Sequence, residues 1–384
     1  MTYRLYGTPG SLYTGKVRSY LIRNGIRFEN RAAGSADFRE RIVPQIGRWI
    51  IPVLETPEGE LIQDGSDIID WFEARRGDRQ PASPETPRHA LISQIFELFG
   101  GEGLLRPAMH YRWNFDEINR PFLERDFSAF LAPTGADDET RQGVFAMSSS
   151  RMRKAMASFG VSAETIPAIE TAYLEFLDLF DRHLSRSPFL LGGRPTIGDW
   201  GLIAPLYAHL ARDPYPSAIM KTRAHRVWRW VERMNASDPD VGEYVEARPE
   251  LFPDDEVPDT LLSLLRFVAT DYLPEVEAFV TFANRWLAER PDMPAWVSGL
   301  DRPQDRVIGQ VDYLWRGLPV RVGVLPYRLY LLQKVQEVWD RTSGSDREAL
   351  DGLLQDTGLS SFVRLRTARK VMRRNHLEVW APAT

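Results

Sequence analysis

Cysteine is absent from the 384-residue chain. That absence excludes disulfides, disulfide exchange through a protein thiol, cysteine–zinc sites and cysteine nucleophiles together. Histidine is scarce: six are present, none in a His-x-x-x-His pair, so no metal site is expected. Positive charge is not in excess. The formal net charge is −5, which argues against electrostatic binding of nucleic acid. Only five of the 48 basic residues are lysine, which reads as coding bias more than as chemistry. No apolar run approaches the ~20 residues of a membrane span, and no membrane partner is expected. The opening MTYRLYG lacks the charged-then-apolar plan of a secretion signal, so the expected compartment is the cytoplasm. Repeats and low-complexity tracts are missing too. What the chain has is length for two or three domains and 43% apolar residues, enough for ordinary packed cores.

The first 76 residues alternate strand and helix signals. Tyr3–Tyr6 reads as a strand. A turn holding Pro9, Gly10 and Ser11 opens a helix over Leu12–Asn24. Its Val17, Tyr20 and Leu21 share one face, and Gly25 stops it. Ile26–Glu29 reads as a second strand. Val53–Thr56 and Glu60–Gln63 flank Pro57-Glu58-Gly59 as a hairpin. Asp64-Gly65-Ser66 then starts a helix carrying Ile68, Ile69 and Phe72. The order β-α-β-(α)-β-β-α is α/β but not doubly wound. RQPASPETPR (79–88), with its three prolines, reads as a linker. Helical spacing follows at Ile169, Tyr173, Phe176, Phe180 and Leu184, and Thr196-Ile197-Gly198-Asp199 has the form of a capping box. After a break rich in Asp, Glu and Pro, residues 259–384 present further amphipathic patterns. They include YRLYLLQKVQEVWDR and SSFVRLRTARKVMRR.

Five marks in this order resemble the cytosolic glutathione transferases over about residues 1–235: the strand–PGS–helix opening, IIPVLE, the polar DGSD after a hairpin, the proline-rich linker and the PTIGDW box. The resemblance implies an α/β thioredoxin-like N-terminal domain (1–78) that binds glutathione as co-substrate, without a metal. A linker (79–88) would lead to an all-α C-terminal domain (89–238) that helps bind a small hydrophobic electrophile. Residues 239–384 exceed the family's usual length and are expected to form an additional helical extension. The family further implies a homodimer.

Ser11 is the first candidate for chemistry. It stands where a helix begins, so nearby amides are unpaired and the helix dipole favours anions. A thiol of pKa about 8.5 is only a few per cent thiolate at pH 7. Lowering that value by about two units needs about 2.7 kcal/mol of preference for the anion. A hydroxyl donating to a charged acceptor contributes roughly 1.5–3 kcal/mol, and a helix N-terminus adds ~0.3–2 kcal/mol. Together they suffice without a base, so this serine can steady another molecule's thiolate. In serine-type, delta-like or zeta-like members the catalytic serine stands six residues before a valine, as Ser11 stands before Val17. In glutaredoxin-like relatives the same place opens a Cys-Pro-Tyr-Cys motif; here it reads Ser11-Leu12-Tyr13-Thr14, which leaves no redox thiol. The bland alternative is that Ser11 only caps its helix.

Tyr6 competes, because tyrosine-type members use a tyrosine near the end of the first strand; strand packing explains it equally. Tyr13 and, more faintly, Thr8 are further alternatives. The resemblance implies a cis bond at Ile51-Pro52 that leaves the Ile51 backbone free to pair with the cysteinyl part of glutathione. It places the γ-glutamyl end at Asp64-Gly65-Ser66, where a helix start offers N–H groups and a carboxylate accepts from an ammonium. The family's serine is replaced by Gly65, and Ser66 is the expected substitute. Leu12, Tyr13, His110 and Tyr111 are the expected second-substrate pocket. The run VRLRTARKVMRR (363–374) carries six basic residues, read as a solvated face or as intrachain pairing. Two functions compete: a glutathione transferase, or a non-catalytic binding or scaffold protein that keeps the fold. A thiol–disulfide oxidoreductase is disfavoured for want of cysteine.

Overall fold

Local signals near the start of the chain fix its first sheet. In the computed structural model, which describes residues 2–302 and 305–383, β1 (Tyr3–Gly7) turns Leu5 and Tyr6 to opposite faces, each into its own core. It pairs in parallel with β2 (Phe28–Ala32) and antiparallel with β3 (Val53–Glu55). β4 (Leu61–Gln63) completes the order β2-β1-β3-β4. Between β1 and β2, α1 (Leu12–Arg23) buries Val17, Tyr20 and Leu21 completely. Gly25, at φ +63°, ends it. The Gly25 amide donates to the Ile22 carbonyl at 3.1 Å and the Ile26 amide to the Leu21 carbonyl at 2.9 Å, the paired closure that a left-handed residue permits. Ile26 therefore belongs to the helix end, which is why β2 starts two residues later than the sequence predicts. A π-helical turn (Phe38–Ile42), α2 (Val43–Ile46) and, after β4, α3 (Gly65–Glu73) complete the unit. It is thioredoxin-like.

The helical domain runs through α4 (Pro87–Leu98), α5 (Leu105–Trp113), α6 (Asp116–Leu131), α7 (Asp138–Ala155), α8 (Ile166–His183), α9 (Ile197–Pro205), α10 (Pro214–Arg223) and α11 (His225–Met234). The predicted capping box starts α9. The buried Asp199 carboxylate accepts from the Thr196 amide at 2.9 Å, the Leu190 amide at 3.0 Å and Trp230 Nε1 at 3.2 Å. α9 crosses α4 without side-chain clearance: a Cβ on Gly201 would stand 2.4 Å from the Glu97 Cα.

Beyond it lie α12 (Asp259–Asp271), α13 (Leu273–Ala288), the hairpin β5 (Gln310–Trp315) and β6 (Leu318–Gly323), α14 (Pro326–Arg341), α15 (Gly344–Thr357), α16 (Ser360–Arg364), and the hairpin β7 (Arg369–Arg374) and β8 (Leu377–Ala383). The extension is thus helical with two hairpins. The predicted helix over SSFVRLRTARKVMRR stops at Arg364, and its second half is β7. There Arg369 and Val371 turn inward while Lys370 and Met372 face out, a period of two. Asn375 and His376, at φ +49° and +64°, close the two-residue loop whose twist suits a hairpin. The basic run finds partners within the chain: Arg366 with Asp340, Arg369 with the Met293 and Pro294 carbonyls, and Arg373 with Asp67. Leu329, Leu332 and Val335 of α14 join the same apolar core as Ile68 and Phe72 of α3 and Ile92 and Phe96 of α4. No described helix is long and apolar enough to cross a membrane.

His183 ties α8 to the extension. Its Nε2 donates to the Leu190 carbonyl at 2.8 Å and its Nδ1 accepts from the Thr260 hydroxyl at 2.9 Å. Burial pushes its pKa from 6.5 down to about 4. The folded value lies below the unfolded one, so the stabilisation is complete above pH 6.5 and is lost as pH falls from there through about 4. The loss amounts to about 3 kcal/mol. Urea melts of a His183→Gln variant should show a flatter dependence of stability on pH over that window than the parent protein.

Candidate functional site

Ser11 is the residue before α1, with extended backbone (φ −91°, ψ 128°). Its amide donates to the Thr8 carbonyl at 3.1 Å and its carbonyl accepts from the Gly15 amide at 2.9 Å. Its Oγ accepts from the Thr14 amide at 3.4 Å, long for a cap. The hydroxyl hydrogen has no acceptor among the described residues, and the side chain is half-buried. The turn is fixed from the other domain. Arg112 Nη1 donates to the Gly10 carbonyl at 2.8 Å and its Nη2 to the Ala208 carbonyl at 2.7 Å, while the buried Asp213 carboxylate holds Nε and Nη2 at 2.7 and 2.8 Å. Beside Ser11, Leu12 packs with Leu105, Ala204 and Ala208, bordered by half-buried Tyr13, Phe159 and Tyr207.

The competing hydroxyls are engaged elsewhere. Tyr6 is fully buried in the second core. Its single phenol hydrogen is shared between Asp37 at 2.5 Å and Glu55 at 3.0 Å, and its oxygen accepts from Arg41 at 2.9 Å. Burial and the two carboxylates push its phenol well above the usual range. Tyr13 donates to Glu102 Oε1 at 2.7 Å, and burial with that carboxylate raises its pKa as well. Thr8 has no side-chain partner among the described residues, but it stands three positions ahead of the cap.

Ile51-Pro52 is a cis peptide. The Pro52 carbonyl accepts from the Asp64 amide at 3.3 Å, so the proline edge and the start of α3 adjoin. Asp64, at φ +97°, caps α3 through Oδ1, which accepts from the Ser66 amide at 2.9 Å. A Cβ on Gly65 would stand 3.5 Å from the Tyr13 carbonyl oxygen, so the starts of α1 and α3 share one corner. Ser66, the expected substitute for the family's serine at Gly65, has its side chain engaged within the chain. Its hydroxyl is fully buried, accepts from Lys16 Nζ at 2.9 Å and donates to Glu97 Oε1 at 2.6 Å. Burial opposes ionisation of Glu97, yet Lys16, 2.7 Å away, holds it down to about 2.

The structure does not bring His110 and Tyr111 to Leu12 and Tyr13. His110 is buried against Glu170 at 3.1 Å and Asn114 at 2.8 Å, and Tyr111 stacks on Phe115 and Tyr215. Their helix contributes Leu105 and Arg112 to the corner instead. The extension is expected from the sequence, but none of its residues is expected at this corner. Tyr327, in the first turn of α14, donates to Asp64 Oδ1 at 2.9 Å and meets the Tyr13 ring edge-on at 6.3 Å. Arg328 donates to Glu102 Oε2 at 2.9 Å. Arg373 of β7 reaches Asp67 Oδ2 at 2.8 Å, the Gln63 carbonyl at 3.1 Å and Gln63 Oε1 at 2.7 Å. Burial and the Asp64 charge push the Asp67 carboxyl up to about 6, against Arg373 and Lys334. Among the described residues no group of three His, Asp or Glu side chains is placed to hold a metal.

Residues 5–80 match the family model of the glutathione S-transferase N-terminal domain, and residues 163–233 that of its C-terminal domain. Lying in this order on the sheet unit and on α8 to α11, the two matches support the glutathione transferase superfamily. No curated protein matches the chain. Among solved structures, a glutathione S-transferase of Methylobacterium radiotolerans in complex with glutathione sulfonate is similar at 20% identity, over 67% of this chain and 100% of that one, with a TM-score of 0.36. One from Rhodospirillum rubrum shows 16% identity over 68% and 99%, with a TM-score of 0.39. A glutathione transferase of Phanerochaete chrysosporium shows 15% over 62% and 98%, with a TM-score of 0.44. Likeness at this level is loose and carries no argument; the support for the superfamily comes from the two family models.

Ser66→Ala removes a hydroxyl between two buried charges. It should destabilise the fold by about 1–3 kcal/mol in urea melts and leave glutathione affinity unchanged in calorimetry. A loss of affinity at unchanged stability would return Ser66 to the ligand site.

Proposed function

We propose that the chain is a serine-type glutathione transferase in which Ser11 activates the tripeptide's thiol for attack on a small hydrophobic electrophile. The observation that carries this reading is the Ser11 hydroxyl: it stands at a helix start, half-buried, with a hydrogen that nothing described accepts. Tyr6 and Tyr13 already donate to carboxylates. Ser11 donates to the sulfur anion, and the amides that open α1 add their partial positive charge. The Ile51 backbone, beside the cis proline, pairs with the cysteinyl part; Asp64 and the Gly65 turn face the γ-glutamyl end. The Leu12, Leu105, Phe159 and Tyr207 side chains give the electrophile an apolar wall. Bound glutathione supplies the nucleophile: its sulfur forms the new bond to carbon, and the leaving group departs with its electron pair. The thiol proton goes to solvent beforehand, so no base is required. As in the family, the working unit is a homodimer and the compartment the cytoplasm.

A second reading, a non-catalytic binding protein, is favoured by one observation. Asp64 and Gln63, at the γ-glutamyl end, already accept from Tyr327 and Arg373.

Ser11→Ala tests the first reading. It should raise the pKa of bound glutathione by about one to two units, read from thiolate absorbance, and lower kcat about 10- to 100-fold, with KM for glutathione little changed. Unchanged kinetics would move the role to another hydroxyl, and binding without turnover across electrophile classes would favour the second reading.

A further inference from the structure

The extension reaches the start of α3 with donors only. The Tyr327 hydroxyl gives its hydrogen to Asp64, and Arg373 gives N–H groups to Asp67, to the Gln63 carbonyl and to the Gln63 side chain. Two carboxylates and two amide oxygens at one place form a set of acceptors suited to an ammonium group. In this chain Asp64 Oδ1, Asp67 Oδ2 and both Gln63 oxygens are already supplied with donors, while Asp64 Oδ2 has none among the described residues. Nor do the donors sit on a loose flap. Tyr327 is 2% exposed, and the rest of α14 is packed into the common core through Leu329, Leu332 and Val335. Arg373 is braced from β8 by Glu378. A ligand ammonium arriving at Asp64 meets a carboxylate already hydrogen-bonded through Oδ1 and a cationic Arg373 beside it on Asp67, so it gains less than at a carboxylate with neither.

We propose that Tyr327 and Arg373 are specificity-determining residues of the Ser11 site: by occupying Asp64 Oδ1, Asp67 Oδ2 and both Gln63 oxygens, and by placing a cation there, they weaken the hold on a γ-glutamyl head until the site is nearly indifferent to it and open to cysteinyl thiols that lack it. This rests on the reading of the Ser11 corner as a thiol site. Tyr327 also lies edge-on to Tyr13, two residues from Ser11, while the Ser11 hydroxyl hydrogen keeps no acceptor among the described residues.

The test is titration calorimetry of the full chain and of Tyr327→Phe with two probes, glutathione and cysteinylglycine. The ring is kept in the variant, and a melting curve checks its fold. The parent protein should bind the two thiols within about threefold of each other. Tyr327→Phe, which frees Asp64 without opening a cavity, should tighten glutathione about tenfold and leave cysteinylglycine within about twofold. A parent preference for glutathione of about a hundredfold or more, or an affinity ratio that Tyr327→Phe does not move, overturns the proposal while leaving the thiol site standing. If neither thiol binds parent or variant, the proposal and the reading of Ser11 fall together.

Discussion

A helix begins with amides that its own carbonyls cannot reach, and two such beginnings meet in one corner of this molecule. That of α3 is closed by the Asp64 carboxylate at 2.9 Å; that of α1 is closed only loosely, by Ser11 at 3.4 Å. The rest of the site depends on this inequality. The strong cap fixes the loop after β4 and presents Asp64 to Tyr327. The weak one leaves a hydroxyl and nearby N–H groups able to meet an anion. Neither start would hold its place alone. Arg112 draws the Gly10 carbonyl into the helical domain, and Lys16, three residues past Tyr13, reaches Glu97 of α4 and Ser66 of α3 together.

Buried charge then sets how the extension sits. Arg328 lies between Glu102 and Glu275, Arg106 holds Glu275 at 2.6 Å, and Lys334 holds Asp70 at 2.6 Å. Ions removed from water are costly unless paired. Sliding α14 by a single residue would take Arg328 away from Glu102 and Glu275. Such pairs add little net stability when formed, but breaking one side costs about 3–5 kcal/mol, so they select one register among many that the apolar faces alone would tolerate.

Legibility in the sequence follows from the range of each interaction. The strand, cap and glycine stop of the first unit are written within a few residues, and their order was readable. Ser11 is marked locally as a helix start, but its expected role and that of Pro52 come from the family resemblance. Tyr327 and Arg373 carry no such mark: they meet Asp64 and Gln63 across 263 and 310 positions, and nothing near either residue in the chain announces the contact. The same holds for Ser66, whose hydroxyl is claimed by side chains on α1 and α4. The second half of SSFVRLRTARKVMRR misled for another reason. Arginine between apolar residues fits a helix and a strand alike, and the Asn375-His376 pair, suited to a two-residue loop, was the signal that could have separated them. His110 and Tyr111 were placed on the right helix but on the wrong side of it; Leu105 and Arg112, a little way along the same helix in each direction, face the corner.

Apolar side chains of the sheet unit, of the helical domain and of the extension lie in one connected body, from Ile68 and Phe72 through Phe96 and Phe176 to Leu332 and Val335. Each part accordingly buries apolar surface that the others supply. Loss of α14 would strip the cover from α3 and α4 at once, so the stability of the sheet unit and of the helical domain is tied to that of the extension.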